Sequence, residues 1–329
     1  MRDNNSTWDS SGEHYLQPEW VQDPSRNNPI SQTKGTRLSA KVIVMVEPIG
    51  VNFTLSSSGS QKYLTLNSTA QVSSGANQEV TVTANENLVD KVGIAAHYIN
   101  WKITVGSIEL SLGRSGQHKI YLTYSTPAGS EYITEFRLSE VCSMANGQSE
   151  SKACADRIFD KHSTITYTPG AEMYGPSPIW LLHDPAEDSE CPGVANFLSA
   201  HFEMLGLGGG TIRYCYAKAD GTYEAKADPP PLMQYRDIVP GGTSGRDKYY
   251  SKERLAMIAN NVVNKYEATV YLNEYYYALG VSRDKKTPKE VVKDAFSSNI
   301  EWQYVVGYDE EGNYKWVRSP VDPWVEKSP

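Results

Sequence analysis

Residues 191–218 read CPGVANFLSAHFEMLGLGGGTIRYCYAK. Val194, Phe197, Leu198, Phe202 and Leu205 recur at offsets of 3, 4, 8 and 11, which is one face of an α-helix. Gly206 and the run Gly208-Gly209-Gly210 stop that helix, because glycine accepts the left-handed backbone of a helix C-terminus. TIRYCYAK then reads as a strand. This helix-then-strand order makes the second half of the chain a mixture of helix and sheet, and it holds the strongest chemical candidate, Cys191.

Working outward, SESKACADRIFDKH predicts a helix of modest amphipathicity, and PSPIWLLHDP holds a short apolar run. Residues 226–252 contain Pro229-Pro230-Pro231, Pro240 and Gly241-Gly242, too long and too Pro/Gly-rich for a simple connection. YEATVYLN and YYYALGV predict a hairpin around Asn273-Glu274. TPKEVVKDAF opens a helix with Thr287 as N-cap, Pro288 at the first helical position and Glu290 at the capping-box position. EWQYVVGYD and NYKWVRS predict a last hairpin closed by DEEGN. Helices followed by an antiparallel sheet define an α+β domain, expected over residues 128–329.

The preceding stretch is different. LSAKVIVMVE, VNFTLSS, KYLTLNST, EVTVTAN, INWKITVG and KIYLTYS are short, rich in β-branched and aromatic residues, and separated by SSSGS, SSGAN and GRSGQ. Val80 and Val82 alternate with polar neighbours, as do Trp101, Ile103 and Val105. Strands at this spacing predict an all-β, Ig-like sandwich over residues 37–127. His97 and His118 lie 21 residues apart in it, and nothing in the sequence joins them into a site. Residues 1–36 are polar, with Pro18, Pro24 and Pro29 and with Trp8, Tyr15 and Trp20 spaced through them, and are expected to form an extended arm.

Length and composition bound the rest. The chain has 329 residues, and at about 150 per domain it carries one large or two ordinary domains. The net charge of −8 argues against a nucleic-acid backbone or an anionic membrane as the main partner. No apolar run is long enough to insert in a membrane. The opening MRDNNSTWDSSGEH lacks the apolar core of a secretory signal, so synthesis in the cytoplasm is expected, with export only by a non-classical route. Tyr is used 22 times against 6 for Phe, and tyrosine suits wet interfaces where its hydroxyl keeps a partner.

Cys191 sits at the N-terminal end of the amphipathic helix. Unpaired N–H groups and the positive end of the helix dipole stabilise a thiolate there, and the thiolate is the nucleophile. Asp188 and Glu190 just upstream act in the opposite sense. The alternatives are a buried structural cysteine or a disulfide. Cys142, Cys154, Cys191 and Cys215 allow three pairings, of which Cys142–Cys154 with Cys191–Cys215 is the local one. No CxxC or HxxxH spacing supports a metal site, and no cofactor motif is present. GLGGG follows a helix rather than a strand, so it does not fit a phosphate-binding turn. Asp156, Asp160 and His162 read as a solvated helix face.

The run Cys191-Pro-Gly-Val-Ala-Asn-Phe-Leu-Ser-Ala-His-Phe-Glu-Met-Leu-Gly-Leu resembles the nucleophile helix of the transglutaminase-like superfamily. Asn264-Lys-Tyr-Glu-Ala-Thr-Val-Tyr-Leu-Asn and Glu274-Tyr-Tyr-Tyr-Ala-Leu-Gly resemble its two core strands, so the resemblance covers about residues 135–310. It implies a papain-like cysteine fold in which Cys191 pairs with a His on the first strand, oriented by an Asp on the next. Those positions fall on Lys265 or Tyr266 and near Ala278 or Leu279. All six histidines lie before residue 202. His201 is ten residues beyond Cys191 on the same helix, about 15 Å of rise, out of reach of the thiol. His183 with Asp184, or Glu267 or Tyr266 on the strand, are the remaining candidate partners.

Two functions are therefore expected as alternatives. One is a bacterial-type interaction, delivered or effector module: a β-sandwich plus a degenerate, non-catalytic transglutaminase-like domain that binds a protein or peptide. The other is a cysteine-dependent amide hydrolase or acyl transferase (protease, deamidase or transglutaminase) with Cys191 as nucleophile and helix N–H groups as oxyanion hole.

Overall fold

The computed structural model describes residues 30–47, 50–61, 64–65, 68–73, 75–115, 118–127, 135–161, 191–217, 222–228, 235–236, 263–264, 266–278, 281–295, 303–308, 310–311 and 314–318. The aromatic positions of the expected arm, PSPIWLLHDP with His183, His162 and most of 226–252 lie outside them. Among the described residues the chain is mostly β-sheet with a few helices. It divides into two compact units, one of Met1–Ala155 with Glu203–Leu207, the other of Asp156–Phe202 with Gly208–Pro329. The expected boundary after Pro127 falls inside the first.

In the first unit the strands are β1 (Ile30–Thr33), β2 (Arg37–Val46), β3 (Asn52–Ser58), β4 (Ser60–Gln61), β5 (Leu64–Thr65), β6 (Ser68–Ser73), β7 (Gly75–Asn87), β8 (Gly93–His97), β9 (Asn100–Val105), β10 (Ile108–Arg114) and β11 (His118–Thr123). They form sheets in the orders β10-β9-β3-β6 and β1-β11-β8, with β2 pairing β7 and β4 pairing β5. KYLTLNST, expected as one strand, is divided between the two-residue β5 and the start of β6.

Alternation explains why these strands pack. Phe53 and Leu55 on β3 and Val80 and Val82 on β7 are buried at every second position. With Val72 and Ile103 they form one core between the β10-β9-β3-β6 sheet and the β2-β7 pair. A second core gathers Leu38, Ala84, Leu88, Ala95, Ile99, Ile120 and Leu122, and half-buried Trp101 packs against both. β10 is an edge strand, with Ile108, Leu110 and Leu112 all more than half exposed. Helix α1 (Glu135–Met144), which the sequence pattern did not reveal, lies against β8 and β11 with Leu138, Val141 and Cys142 fully buried. β1 pairs parallel with β11, so the end of the expected arm is a strand. Helix α2 spans Ser151–Lys161, as expected.

The second unit contains helix α3 (Cys191–Leu205) up to Phe202, and then β12 (Thr211–Ala217), β13 (Tyr223–Lys226), β14 (Tyr235–Arg236), β15 (Val263–Asn264), β16 (Glu267–Leu272), β17 (Tyr275–Tyr277), helix α4 (Pro288–Ala295), β18 (Gln303–Tyr308) and β19 (Tyr314–Arg318). Its main sheet is antiparallel in the order β13-β12-β16-β17. Asn273 and Glu274 take φ of 50° and 70°, the paired left-handed turn that matches the twist of a two-residue hairpin. Gly210, at φ 69°, leads into β12 so close to its neighbour that an added Cβ would lie 2.7 Å from the Tyr271 carbonyl oxygen.

Helix α4 starts as its sequence predicts. The Glu290 N–H donates to Thr287 Oγ1 at 3.3 Å, and the Thr287 N–H donates back to Glu290 Oε2 at 2.9 Å. Val291, Val292 and Ala295 then bury the inner face against Cys215 and Tyr276. The β18–β19 hairpin also forms where the alternation placed it.

Candidate functional site

Cys191 is the first residue of α3 and is buried, with 4% of its surface exposed. No acidic residue lies in the helix's first turn. None of Cys142, Cys154, Cys191 and Cys215 is in a disulfide, so the local pairing is absent. Asp188 and Glu190 lie outside the described residues.

The sheet beside α3 has two chemically different faces, and strand register assigns every residue to one of them. Cys215 is opposite Glu267 and Ala225, and Arg213 is opposite Thr269. These residues share a face with Tyr271 and Tyr276, because side chains two apart on a strand lie on the same side. Helix α4 packs against this face. Tyr214 is opposite Ala268, and Val270 is opposite Tyr277, on the other face. There Tyr277 meets Phe202 of α3, with ring centroids 5.4 Å apart, and Phe159 of α2 at 5.6 Å. The Tyr277 hydroxyl donates to Asp156 Oδ1 at 3.2 Å. Arg283 holds the Asp156 carboxylate at 3.8 Å and that of Asp160 at 3.3 Å, so the helix face expected to be merely solvated is tied into the unit.

Cys191 registers electrostatically on one of these tyrosines, Tyr214. Burial, followed by the charges of Cys191 and Asp228, holds the Tyr214 hydroxyl above its ordinary value of 10.0. The Tyr214 ring meets Tyr266 edge-on, centroids 4.8 Å apart and planes at 82°. Tyr266 is one of the two positions at which the resemblance would call for a histidine. Farther along, the Tyr216 hydroxyl donates to Glu224 Oε2 at 2.7 Å, and Lys226 pairs with the same carboxylate at 3.1 Å.

Glu267 is completely buried on β16, on the Cys215 face. Cys215 itself is a core thiol: burial pushes its pKa up to about 12, and its sulfur lies 3.9 Å from Thr269 Oγ1. His201 is fully buried in α3. Its Nδ1–H donates to the Phe197 carbonyl at 2.8 Å, and its ring packs edge-on against Phe197 at 4.1 Å. His183, the other candidate base, lies outside the described residues.

Sequence inspection read TIRYCYAK only as a strand and did not single out Tyr214, whose ionisation registers the charge of Cys191. The signal was present in alternation: Tyr214 and Cys215, adjacent on one strand, point to opposite faces. Among the described residues, no group of three or more His, Cys, Asp or Glu is placed to hold a metal ion. No helix among them is long and apolar enough to cross a membrane. No protein-family model matches the chain, and no curated protein matches its sequence.

Proposed function

We propose that this chain is a non-catalytic binding module of the bacterial delivered or effector type. In it an Ig-like β-sandwich precedes a degenerate transglutaminase-like α+β domain that takes a protein or peptide partner. One observation supports this reading: Cys191 is buried, and the group on which its charge registers, Tyr214, is a phenol held above its ordinary value of 10.0. Activating a thiol needs a base that accepts a proton near neutral pH. A phenol whose pKa is raised above 10.0 stays protonated there, so Tyr214 can donate a hydrogen bond but cannot act as that base. The buried Cys191 then serves as packing at the head of α3, and tyrosines beside it offer the flat amphipathic surface common at protein interfaces.

The placement of Cys191 at the first residue of a 15-residue helix favours a second reading, the cysteine-dependent amide hydrolase or acyl transferase. Iodoacetamide labelling of the native protein at neutral pH, mapped by mass spectrometry, separates the two. The binding module predicts that Cys191 alkylates only on denaturation, along with Cys142, Cys154 and Cys215. Rapid native alkylation of Cys191, together with an amidase or transamidase activity abolished in Cys191→Ala, would install the enzyme instead.

A further inference from the structure

One row of side chains crosses the β10-β9-β3-β6 sheet from core to solvent. Leu55 on β3 is opposite Ile103 on β9, and Ile103 is opposite Leu110 on β10. Their exposures are 1%, 7% and 51%. Val80 and Val82 of the β2-β7 pair share a core with Leu55 and Ile103, and β10 contributes none of that core's residues. Residues two apart share a face, so Ile108 and Leu110 lie on the core-side face of the sheet while remaining more than half exposed. β9 is the one neighbour of β10 among the described residues.

The backbone of β10 presents a matching edge. Val105 and Ile108 close the β9–β10 hairpin across Gly106 and Ser107, with Gly106 at φ 60°. The closing pair of a two-residue loop exchanges both of its N–H···O bonds, so by alternation the N–H and C=O groups of Glu109 and Ser111 point away from β9. β10 carries neither proline nor lysine, residues that commonly blunt a sheet edge. We propose that this edge pairs antiparallel with β10 of a second copy of the chain, about a two-fold axis at Leu110. The strand is its own complement in that register. Leu110 of one copy lies opposite Leu110 of the other, Ile108 opposite Leu112, and Glu109 opposite Ser111. Outward backbone groups then meet each other, apolar side chains meet apolar ones, and no two like charges are opposed. Glu109 is neutralised within its own chain by Lys102 at 2.6 Å. The β-bulge between Ser111 and Gly113 ends the seam. A seven-residue seam is smaller than the roughly 800 Å² per partner of a standard interface, so the dimer is reversible and concentration-dependent. It lies apart from Cys191 and stands or falls independently of the proposed function.

The test is sedimentation equilibrium of the full chain from low to high micromolar concentration, beside Leu110→Lys, Leu110→Glu and an equimolar mixture of the two. The unaltered chain should move from one chain mass toward two as concentration rises. Each single variant should associate at least about tenfold more weakly, because the two-fold axis sets like charges directly opposite one another. Mixing the two variants should restore the dimer, with opposite charges now facing. Leu110 is half exposed, so the circular dichroism of both variants should match that of the unaltered chain. Hydrogen exchange gives a second readout that needs no variant: the amides of Glu109 and Ser111 should exchange more slowly at high concentration than at low. One chain mass at every concentration would overturn the proposal. So would a dimer that persists in both single variants, or exchange at Glu109 and Ser111 that is indifferent to concentration.

Discussion

The two faces of the β13-β12-β16-β17 sheet use the same strands to opposite ends. Against α4 the sheet sets Cys215, Glu267, Thr269, Tyr271 and Tyr276, and the helix answers with Val291, Val292 and Ala295. Toward α3 it sets Val270 and Tyr277, and the helix answers with Phe202. A cysteine protease-like cleft needs its thiol and base on one side of a sheet. Here the buried Glu267 lies on the side that α4 covers, while Phe202 and Tyr277 meet on the other.

The largest effect should come from Phe202→Ala. If the α3 side is packed rather than open, this change costs about 3–5 kcal/mol, measured by urea unfolding followed by circular dichroism. A cost below about 1 kcal/mol would mean an open face and would break the contrast in favour of a cleft. Val292→Ala tests the α4 side, where removing a fully buried branched side chain should cost roughly 1.5–3 kcal/mol. Thr287→Ala removes the cap of α4 and should cost about 1 kcal/mol without changing native labelling of Cys191.

Much of this sheet was legible in advance because its signals are local. The Thr287–Glu290 box, the Asn273-Glu274 turn and the apolar face of α3 each lie within a few residues of themselves, so spacing alone reveals them. β10 was overlooked although Ile108, Leu110 and Leu112 alternate with polar residues; its seven exposed residues form an edge strand that buries nothing. α1 was hidden for a different reason, its weak segregation of apolar and polar residues around the helix. The candidate pairing was the least legible part. Glu267 was legible only as a polar residue on a strand; its complete burial opposite Cys215 follows from pairing with a strand 52 residues away, which no local pattern carries.

Two smaller effects sharpen the comparison. Tyr277→Phe keeps the ring against Phe202 and Phe159 and deletes only the hydroxyl to Asp156, so it should cost about 0.5–1.5 kcal/mol, far less than Phe202→Ala. Around α4, acid should act through two carboxylates. The Lys286 N–H, then the Thr287 hydroxyl, hold the pKa of Glu290 below its ordinary 4.5. Burial raises that of Asp294, but the Ser282 hydroxyl and N–H, each at 2.6 Å, outweigh it and leave it below 3.8. A depressed folded-state pKa gives stability that is present above the unfolded value and is lost as pH falls through the folded one. Glu290→Gln and Asp294→Asn together should therefore flatten the stability profile below about pH 4.5 while lowering stability at neutral pH. An unchanged acid limb would show that these carboxylates do not anchor the helix.

The turn at Asn273-Glu274 also sets a clock. Leu272 and Tyr275 close the β16–β17 hairpin across two intervening residues, and hairpins of this kind form in about 1–10 μs. β12 meets β16 only through partners such as Thr211 and Tyr271, 60 residues apart, and closing a longer loop costs more chain entropy, about 0.6 kcal/mol for each doubling. The tyrosine hairpin is thus ready as a template before β12 docks. Changes in its turn should slow the assembly of the sheet, whereas changes in β13 should chiefly hasten its unfolding.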